Sequence, residues 1–160
     1  MRKIMAVSAV AAAAAILISP SASAGSRASS ATYRLRASMT PQQVVTPQNK
    51  RWRVPASVRH AHGSFTGAMV LAGRRRTLRW SIRYTGVGSN PLQIADIHYG
   101  KPGHFGPVIK RLCGPCESGQ SGKRKLSAWG ARSIKNGNAW ITIITGTYRD
   151  GVIRGQIKVS

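Results

Sequence analysis

Apolar and polar residues alternate over short stretches from about residue 63 onward, the pattern of strands with one buried face. The clearest stretch is Arg76–Thr85, in which every second position is apolar or aromatic: Leu78, Trp80, Ile82 and Tyr84. The intervening positions hold Thr77, Arg79, Ser81 and Arg83. This strand is therefore predicted to have one buried face and one basic face.

Further stretches continue the pattern, with Gly-rich turns between them. They predict strands at Ser64–Leu71, Leu92–Tyr99, Pro107–Leu112, Ala139–Thr145 and Gly151–Val159, with a short strand around Gln43–Val45. Only Leu126–Ile134 has helical spacing, and Asn136-Gly137 ends it. Six or seven short strands separated by turns predict an all-β antiparallel sandwich with one short helix.

The first segment of the chain has the three parts of a secretory signal peptide. Met1–Lys3 is positively charged, Ile4–Ile18 is almost wholly apolar, and Ala22–Ala24 is a small-residue cleavage site. The apolar run is shorter than the ~20 residues that span a bilayer, which argues against a membrane anchor.

The expected product is an exported chain that has no later segment of membrane-spanning length. We expect residues 1–24 to be removed, residues 25–37 to form a flexible basic arm, and residues 38–160 to form one sandwich domain. The protein is then secreted into the extracellular space, where charge alone holds it to any cell surface.

The charge balance is strongly basic, with 25 Lys and Arg against 3 Asp and Glu, and a net charge of +22. The only carboxylate side chains are Asp96, Glu117 and Asp150. Catalytic mechanisms that need a pair of carboxylates therefore have very few candidate residues. The same scarcity argues against calcium or magnesium cages. The composition therefore predicts a binding module rather than an enzyme.

The basic residues fall into clusters that predict a polyanion-binding surface. Arg74-Arg75-Arg76 precedes the strand that carries Arg79 and Arg83, and Lys123-Arg124-Lys125 forms a second cluster in a predicted loop. A third, Lys50–Arg53, contains Trp52. Arginine forks bind carboxylate and phosphate in bidentate fashion, so the expected partner is an anionic surface polymer, an acidic polysaccharide or an acidic protein. The chain has no nucleic-acid fold motif, so sequence-specific nucleic-acid binding is not expected.

Four segments together resemble the chordin-type (CHRD) domain family. They are Leu78–Gly86, Ile97–Gly103, Gly106–Val108 and Gly151–Ile157, of which the closing Ile-Arg-Gly-Gln-Ile and the His-x-Gly-x-Pro-Gly turn are the most specific. The resemblance extends from about Ser38 to Val159. It implies an immunoglobulin-like or Cu,Zn superoxide-dismutase-like antiparallel β-sandwich in a secreted protein.

The sequence departs from that family at polar positions. Asp96-Ile97-His98 stands where relatives often have His-x-His, Ile143-Ile144-Thr145 where they have Val-His-Thr, and Gly151–Arg154 where they have Gly-Glu-Ile-Arg. If those positions hold a metal ion in relatives, Asp96 is still able to bind it, but Ile144 and Val152 are not.

Four side chains remain as candidate ligands for copper or zinc: His60, His62, Asp96 and His98. Within each pair the residues are two apart, which places both side chains on one face of a strand. A site requires the two strands to be neighbours with these side chains facing each other. The alternative is a surface histidine pair without a metal, and a hydrogen-bonded His98 at the end of a sheet.

Cys113-Gly114-Pro115-Cys116 has the spacing of a thioredoxin-type redox dithiol, whose first thiol is activated at a helix N-terminus. The residues that follow, Glu117–Gly122, are predicted to form a flexible loop that supplies no helix dipole. In an oxidising exterior a local disulfide is expected, with a redox dithiol or a metal-binding pair as alternatives. An extracellular metal-binding or thiol redox protein is accordingly the alternative to a binding module.

Overall fold

A computed structural model describes residues 29–88 and 92–160. The predicted signal peptide and residues 25–28 of the predicted arm lie outside the described residues. In chain order the elements are β1 (Ser30–Met39), 3-10 helices at Pro41–Gln43 and Ala56–Val58, β2 (His62–Ala72), β3 (Arg75–Thr85), β4 (Gln93–Tyr99), β5 (Val108–Cys113), β6 (Ser121–Lys125), α1 (Ala128–Lys135), β7 (Ala139–Thr145), β8 (Ile153–Gln156) and β9 (Lys158–Val159).

The strands form two antiparallel sheets that pack face to face. One sheet has five strands in the order β6-β3-β2-β1-β9, and the other has four in the order β5-β4-β7-β8. One hydrophobic cluster joins them, with Phe65 and Leu78 from the first sheet and Ile97 and Ile141 from the second. The predicted all-β antiparallel sandwich with one short helix is confirmed.

The alternation predicted for Arg76–Thr85 is the one that β3 adopts. Leu78, Trp80, Ile82 and Tyr84 are buried, whereas Arg79 and Arg83 are exposed. β3 pairs with β2 along its whole length, and β2 pairs with β1 over ten residues. One sheet face is therefore packed on the core and the other faces solvent, as is common for antiparallel sheets.

The prediction of a flexible arm is wrong for residues 30–37, which belong to β1. Leu35 and Ala37 face the core, and Arg34 and Arg36 between them are exposed. β1 pairs with β2 along its whole length and with β9 at Leu35 and Arg36, so it is held in the sheet by ladder hydrogen bonds. The predicted strand at Gln43–Val45 is also wrong, because a 3-10 helix with Pro41 at its start occupies Pro41–Gln43.

β6 corrects the prediction that Lys123-Arg124-Lys125 lies in a loop. Residues 121–125 pair with β3, and Gly122 lies directly opposite Trp80. A Cβ atom at Gly122 would approach Trp80 Cζ2 to 2.8 Å, so the indole ring covers the space that a side chain there would fill. Trp80 therefore supplies the apolar contact that the sequence of β6 lacks.

Candidate functional site

The outer face of the five-stranded sheet is lined with basic side chains from four strands, and we call it the basic face. The register places three of its cations in one row across β6, β3, β2 and β1: Lys123, Arg79, Ala68 and Arg34. The next row runs from β6 to β9: Ser121, Ser81, Thr66, Arg36 and Lys158. Its eight exposed cations are Arg34, Arg36, Arg75, Arg79, Arg83, Lys123, Lys125 and Lys158.

Small side chains separate the cations of the basic face. Between Arg79 and Arg34 lies Ala68, and between Arg83 and β1 lies Ser64. Neighbouring strands are about 4.8 Å apart and alternate residues of a strand are about 7 Å apart, so the cations form a grid over the sheet. No carboxylate side chain of the described residues belongs to this face.

The sequence clusters located part of this face and missed the rest. Arg79, Arg83, Lys123 and Lys125 lie on it, and Arg75 stands at its end. Three further cations, Arg34, Arg36 and Lys158, are brought to it by β1 and β9. The alternation of Arg34 and Arg36 with Leu35 and Ala37 is the signal that could have located two of them.

At the β2–β3 hairpin the basic face ends in a cleft of about 400 Å³ that carries five cations. Its lining residues are Arg74, Arg75, Arg76, Thr77, Lys123, Lys125 and Leu126. Arg74 and Arg75 are exposed in and beside the hairpin turn, while Arg76 is half-buried and donates to the Arg74 carbonyl at 3.1 Å. Two separate sequence clusters therefore converge at this corner of the sheet.

Arg124 lies on the opposite side of β6 from its two lysine neighbours. It stands opposite Leu78, and its Nη2 donates to the Leu112 carbonyl of β5 at 2.5 Å. This contact joins the edge strands of the two sheets, so Arg124 is a structural side chain. Arg124 therefore does not share the exposed side of β6 with Lys123 and Lys125, and its part in polyanion binding stays a prediction.

The first four residues of the Ile-Arg-Gly-Gln-Ile segment form β8 and place a buried arginine on one face of the second sheet. Arg154 is 3% exposed, and its guanidinium lies 3.9 Å from the centre of the Trp140 ring. The His98 ring stacks on Trp140 at 4.2 Å. Gly155 lets β8 approach β1, because a Cβ atom there would clash with the Ser38 carbonyl oxygen.

The His-x-Gly-x-Pro-Gly turn folds over this stack. Arg154 Nη2 donates to the His104 carbonyl at 2.8 Å, and Trp140 Nε1 donates to the Tyr99 carbonyl at 3.1 Å. Burial lowers the pKa of Arg154 to about 10 and lowers the pKa of His98 below its usual range. The two most specific sequence motifs thus meet in one buried cluster.

The family model of the CHRD domain matches residues 35–157 of the chain. The chain belongs to the CHRD domain family. CHRD domains occur in secreted proteins. No curated protein and no solved structure matches the sequence. Within residues 29–88 and 92–160, no helix combines the length and the apolar character needed to cross a bilayer.

This CHRD domain does not bring its four candidate metal ligands together. His60 and His62 are exposed at the start of β2, where His62 Nδ1 lies 3.0 Å from the His60 carbonyl. Asp96 and His98 are buried in β4 of the other sheet. Among the described residues, no group of three or more His, Cys, Asp or Glu side chains lies close enough to hold a metal ion.

Asp96 has a partner of a different kind. Its carboxylate accepts two hydrogen bonds from Arg111 of β5, from Nε at 3.1 Å and from Nη2 at 3.3 Å. The hydrogen bonds to Asp96 raise the pKa of Arg111 above its ordinary value. Ile144 and Val152 are apolar positions on the neighbouring strand β7 and in the turn after it.

The two cysteines form a disulfide at the end of β5, and both are buried. Tyr84 of β3 donates to the Cys116 carbonyl at 2.9 Å, which ties this turn to the first sheet. The next helix, α1, begins only at Ala128, so Cys113 does not stand at a helix N-terminus. A local structural disulfide therefore fits the geometry better than a redox dithiol.

Proposed function

We propose that this CHRD domain is a non-enzymatic extracellular module that binds an acidic polysaccharide or similar anionic polymer along its basic face. The observation that carries the proposal is the grid of eight exposed cations on one face of the sheet, five of them in two shared rows, with no carboxylate of the described residues among them. The expected signal peptide and the family's occurrence in secreted proteins support an extracellular setting.

The spacing of the basic face favours an extended polymer over a compact ligand. Cations from Arg75 to Lys158 follow the sheet diagonally across strands that lie about 4.8 Å apart. A single small anion neutralises two or three of these charges at most, whereas a linear polyanion neutralises many and releases its counterions. Small side chains between the cations let a polymer backbone lie close to the sheet.

The cleft at the β2–β3 hairpin is the expected binding site for one acidic group of the polymer, at the end of the basic face. Arg74 and Arg75 on the hairpin and Lys123 and Lys125 on β6 surround it. Guanidinium groups bind carboxylate and sulfate groups in bidentate fashion, and ammonium groups add charge without fixed geometry. An acidic group of the polymer is therefore expected to bind most tightly at this corner.

Retention on a heparin column tests the proposal, with a face variant and a charge-matched control. The face variant is Arg34→Gln, Arg79→Gln and Lys123→Gln, and the control is Arg53→Gln, Arg59→Gln and Arg149→Gln, three exposed residues outside the basic face. Both variants lose three charges. We expect the wild type and the control to elute at high salt and the face variant to elute clearly earlier. Equal elution of the two variants would contradict the proposal.

A further inference from the structure

A second cleft, of about 490 Å³, lies at the opposite end of the first sheet from the β2–β3 hairpin. The register places Ser30 and Arg75 at the hairpin end, whereas Met39 and Tyr84 are at the other end, where the chain enters the 3-10 helix Pro41–Gln43. The lining of this second cleft includes Gln43, Asn49, Arg51, Gly103, Arg154 and Gln156. It shares no residue with the basic face.

Side-chain hydrogen bonds hold the walls of this cleft in place. Asn49 has a φ of 59°, and its Oδ1 accepts from the Phe105 backbone N–H at 2.7 Å. This bond joins the turn that carries Asn49 to the turn that carries Pro102 and Gly103. On the other wall, Gln43 Nε2 donates to the Ser38 carbonyl at 3.0 Å. The cleft is therefore a built feature rather than a gap between mobile loops.

A buried cation with no acidic partner among the described residues lines the cleft. Arg154 is 3% exposed, and its Nη2 donates only to backbone carbonyls, those of His104 and Lys101. Its Nη1 has no hydrogen-bond partner among the described residues. The Asp96 carboxylate is already paired with Arg111. A buried charge without a counter-ion is costly, so an anion in the cleft would lower the free energy of the folded domain.

Next to this cation lies a buried acceptor that lacks a donor. Gln156 Nε2 donates to the Gly100 carbonyl at 3.0 Å and to the Gly137 carbonyl at 2.8 Å. Two carbonyl partners fix which end of the amide is nitrogen, so Oε1 must accept from a different group. No donor among the described residues reaches it. Arg154 and Gln156 are two apart on β8 and share one face, with Cα atoms about 7 Å apart.

We propose that this cleft binds one unit of an acidic sugar, a uronic acid, through its carboxylate and a hydroxyl group. The carboxylate accepts from Arg51 at the rim and from Arg154 Nη1, and a hydroxyl group donates to Gln156 Oε1. Because both Arg154 Nη1 and Gln156 Oε1 are closed to water in the free domain, the two side chains must shift toward the cleft when the sugar binds. Sulfate and fully ionised phosphate offer acceptors but no donor, so they leave Gln156 unmatched. The volume lies within the range of small-molecule sites, and the amides of Gln42 and Gln43 suit a hydroxyl-rich ligand.

Titration of the wild-type domain with free glucuronate, followed by backbone amide NMR shifts, tests this assignment. The titration is run at a high salt concentration, at which charge-only contacts with the basic face are screened. We expect saturable shifts at the amides of Asn49, Gly103 and Gln156. Glucose, which lacks the carboxylate, and sulfate, which lacks the hydroxyl, are expected to bind at least ten-fold more weakly. No saturable shift with glucuronate, or equal binding of glucose, would overturn the proposal.

Variants of Arg51 and Arg154 show which side chains contact glucuronate. The Arg51 variant changes an exposed residue, so the test does not depend on a change in the buried part of the domain. Arg51→Gln changes an exposed rim residue and is expected to weaken glucuronate binding several-fold, whereas Arg53→Gln, two positions away, is expected to leave it unchanged. Arg154→Lys keeps the charge but loses the guanidinium fork, so it is expected to weaken binding by about ten-fold. Equal binding by Arg51→Gln, Arg53→Gln and a folded Arg154→Lys variant would overturn the assignment.

The same titration separates this proposal from the proposed function. The face variant Arg34→Gln, Arg79→Gln and Lys123→Gln leaves the cleft intact, so it is expected to bind glucuronate like the wild type. Loss of heparin retention together with unchanged glucuronate binding supports two separate sites. Loss of glucuronate binding in the face variant would place the ligand on the basic face and overturn the cleft assignment.

Discussion

Arg79 of β3 and Lys123 of β6 lie directly opposite each other in the register of the sheet, both exposed on the same face. Like charges in directly opposite positions destabilise a strand pair, typically by about 0.2–1 kcal/mol. The packing of Trp80 against Gly122 and the hydrogen bond of Arg124 to Leu112 hold β6 in place against this repulsion. A bound polyanion would turn the same two charges into a favourable contact.

Removal of one of these charges is expected to stabilise the free domain. We expect Lys123→Gln to raise the free energy of unfolding by about 0.2–1 kcal/mol at low salt, because it removes the repulsion with Arg79. The gain should vanish near 1 M salt, where the Debye length is about 3 Å. Urea unfolding at the two salt concentrations measures the difference, with Arg53→Gln as the control. A loss of stability at low salt would show that Lys123 is not under repulsion.

A methyl group at Gly122 is expected to destabilise the sheet edge. Its Cβ atom would lie 2.8 Å from Trp80 Cζ2, so the buried indole ring or β6 must shift. We expect Gly122→Ala to lower the free energy of unfolding by about 1–3 kcal/mol, the usual cost of overpacking. Where the space is free, a Gly→Ala change in extended backbone is stabilising, so the sign itself is informative. A neutral or stabilised variant would contradict the packing of Trp80 on Gly122, and Ser121→Ala on the exposed side is the control.

The stability of the domain is expected to fall in mild acid because of His98. Burial lowers the pKa of this histidine, and the nearby Arg154 lowers it further, while the Gly106 hydrogen bond and Asp96 partly oppose the shift. The unfolded chain therefore binds the proton more tightly than the folded domain. The contribution of neutral His98 to stability is therefore complete above the ordinary pKa of 6.5 and is lost progressively as the pH falls below it.

Urea unfolding of the wild type and of His98→Gln across this pH range measures the effect. The difference in the free energy of unfolding between the wild type and His98→Gln should shrink as the pH falls below about 6.5. Only the wild type has a buried imidazole that becomes protonated in this range. The exposed His62→Gln variant should keep a constant difference from the wild type. A difference in the free energy of unfolding between the wild type and His98→Gln that stays constant or grows in acid would contradict the burial of a neutral His98.

The disulfide is expected to make a modest contribution to stability. Cys113 and Cys116 are three residues apart, and so short a ring removes little entropy from the unfolded chain, about 2 kcal/mol from loop closure. We expect the double variant Cys113→Ser and Cys116→Ser to remain folded with a free energy of unfolding lower by about that amount. In the native wild type, a thiol reagent should find no reactive cysteine, and rapid labelling would favour a redox role instead.

The sequence predicted those strands whose pattern is local. Leu78, Trp80 and Ile82 alternate with polar residues strongly enough to locate β3 without knowledge of its neighbours. β6 escaped prediction because its inward positions are Gly122 and Arg124, and the apolar contact comes from Trp80, which is distant in sequence. In β1, apolar Leu35 and Ala37 alternate with Arg34 and Arg36, but the surrounding segment is rich in Ser, Ala and Arg, a composition typical of a flexible arm.

The functional surfaces depend on register, which a single sequence does not reveal. Arg34 and Lys123 share a row with Arg79 only because three strand pairings align them. The same holds for Arg154, whose burial depends on the turn around His104 and on the Trp140 ring. Sequence clusters therefore indicated a basic surface, but the full set of its residues required the fold.

The salt dependence of heparin oligosaccharide binding in solution tests the central claim most directly. For each cation that no longer binds an anionic group of the polymer, the slope of log K against log salt is expected to fall by about 0.7, as it does for single-stranded nucleic acids. The face variant Arg34→Gln, Arg79→Gln and Lys123→Gln should therefore show a slope shallower by about 2. The charge-matched control Arg53→Gln, Arg59→Gln and Arg149→Gln should keep the wild-type slope. An equal fall in both variants would mean that net charge, and not the basic face, holds the polymer.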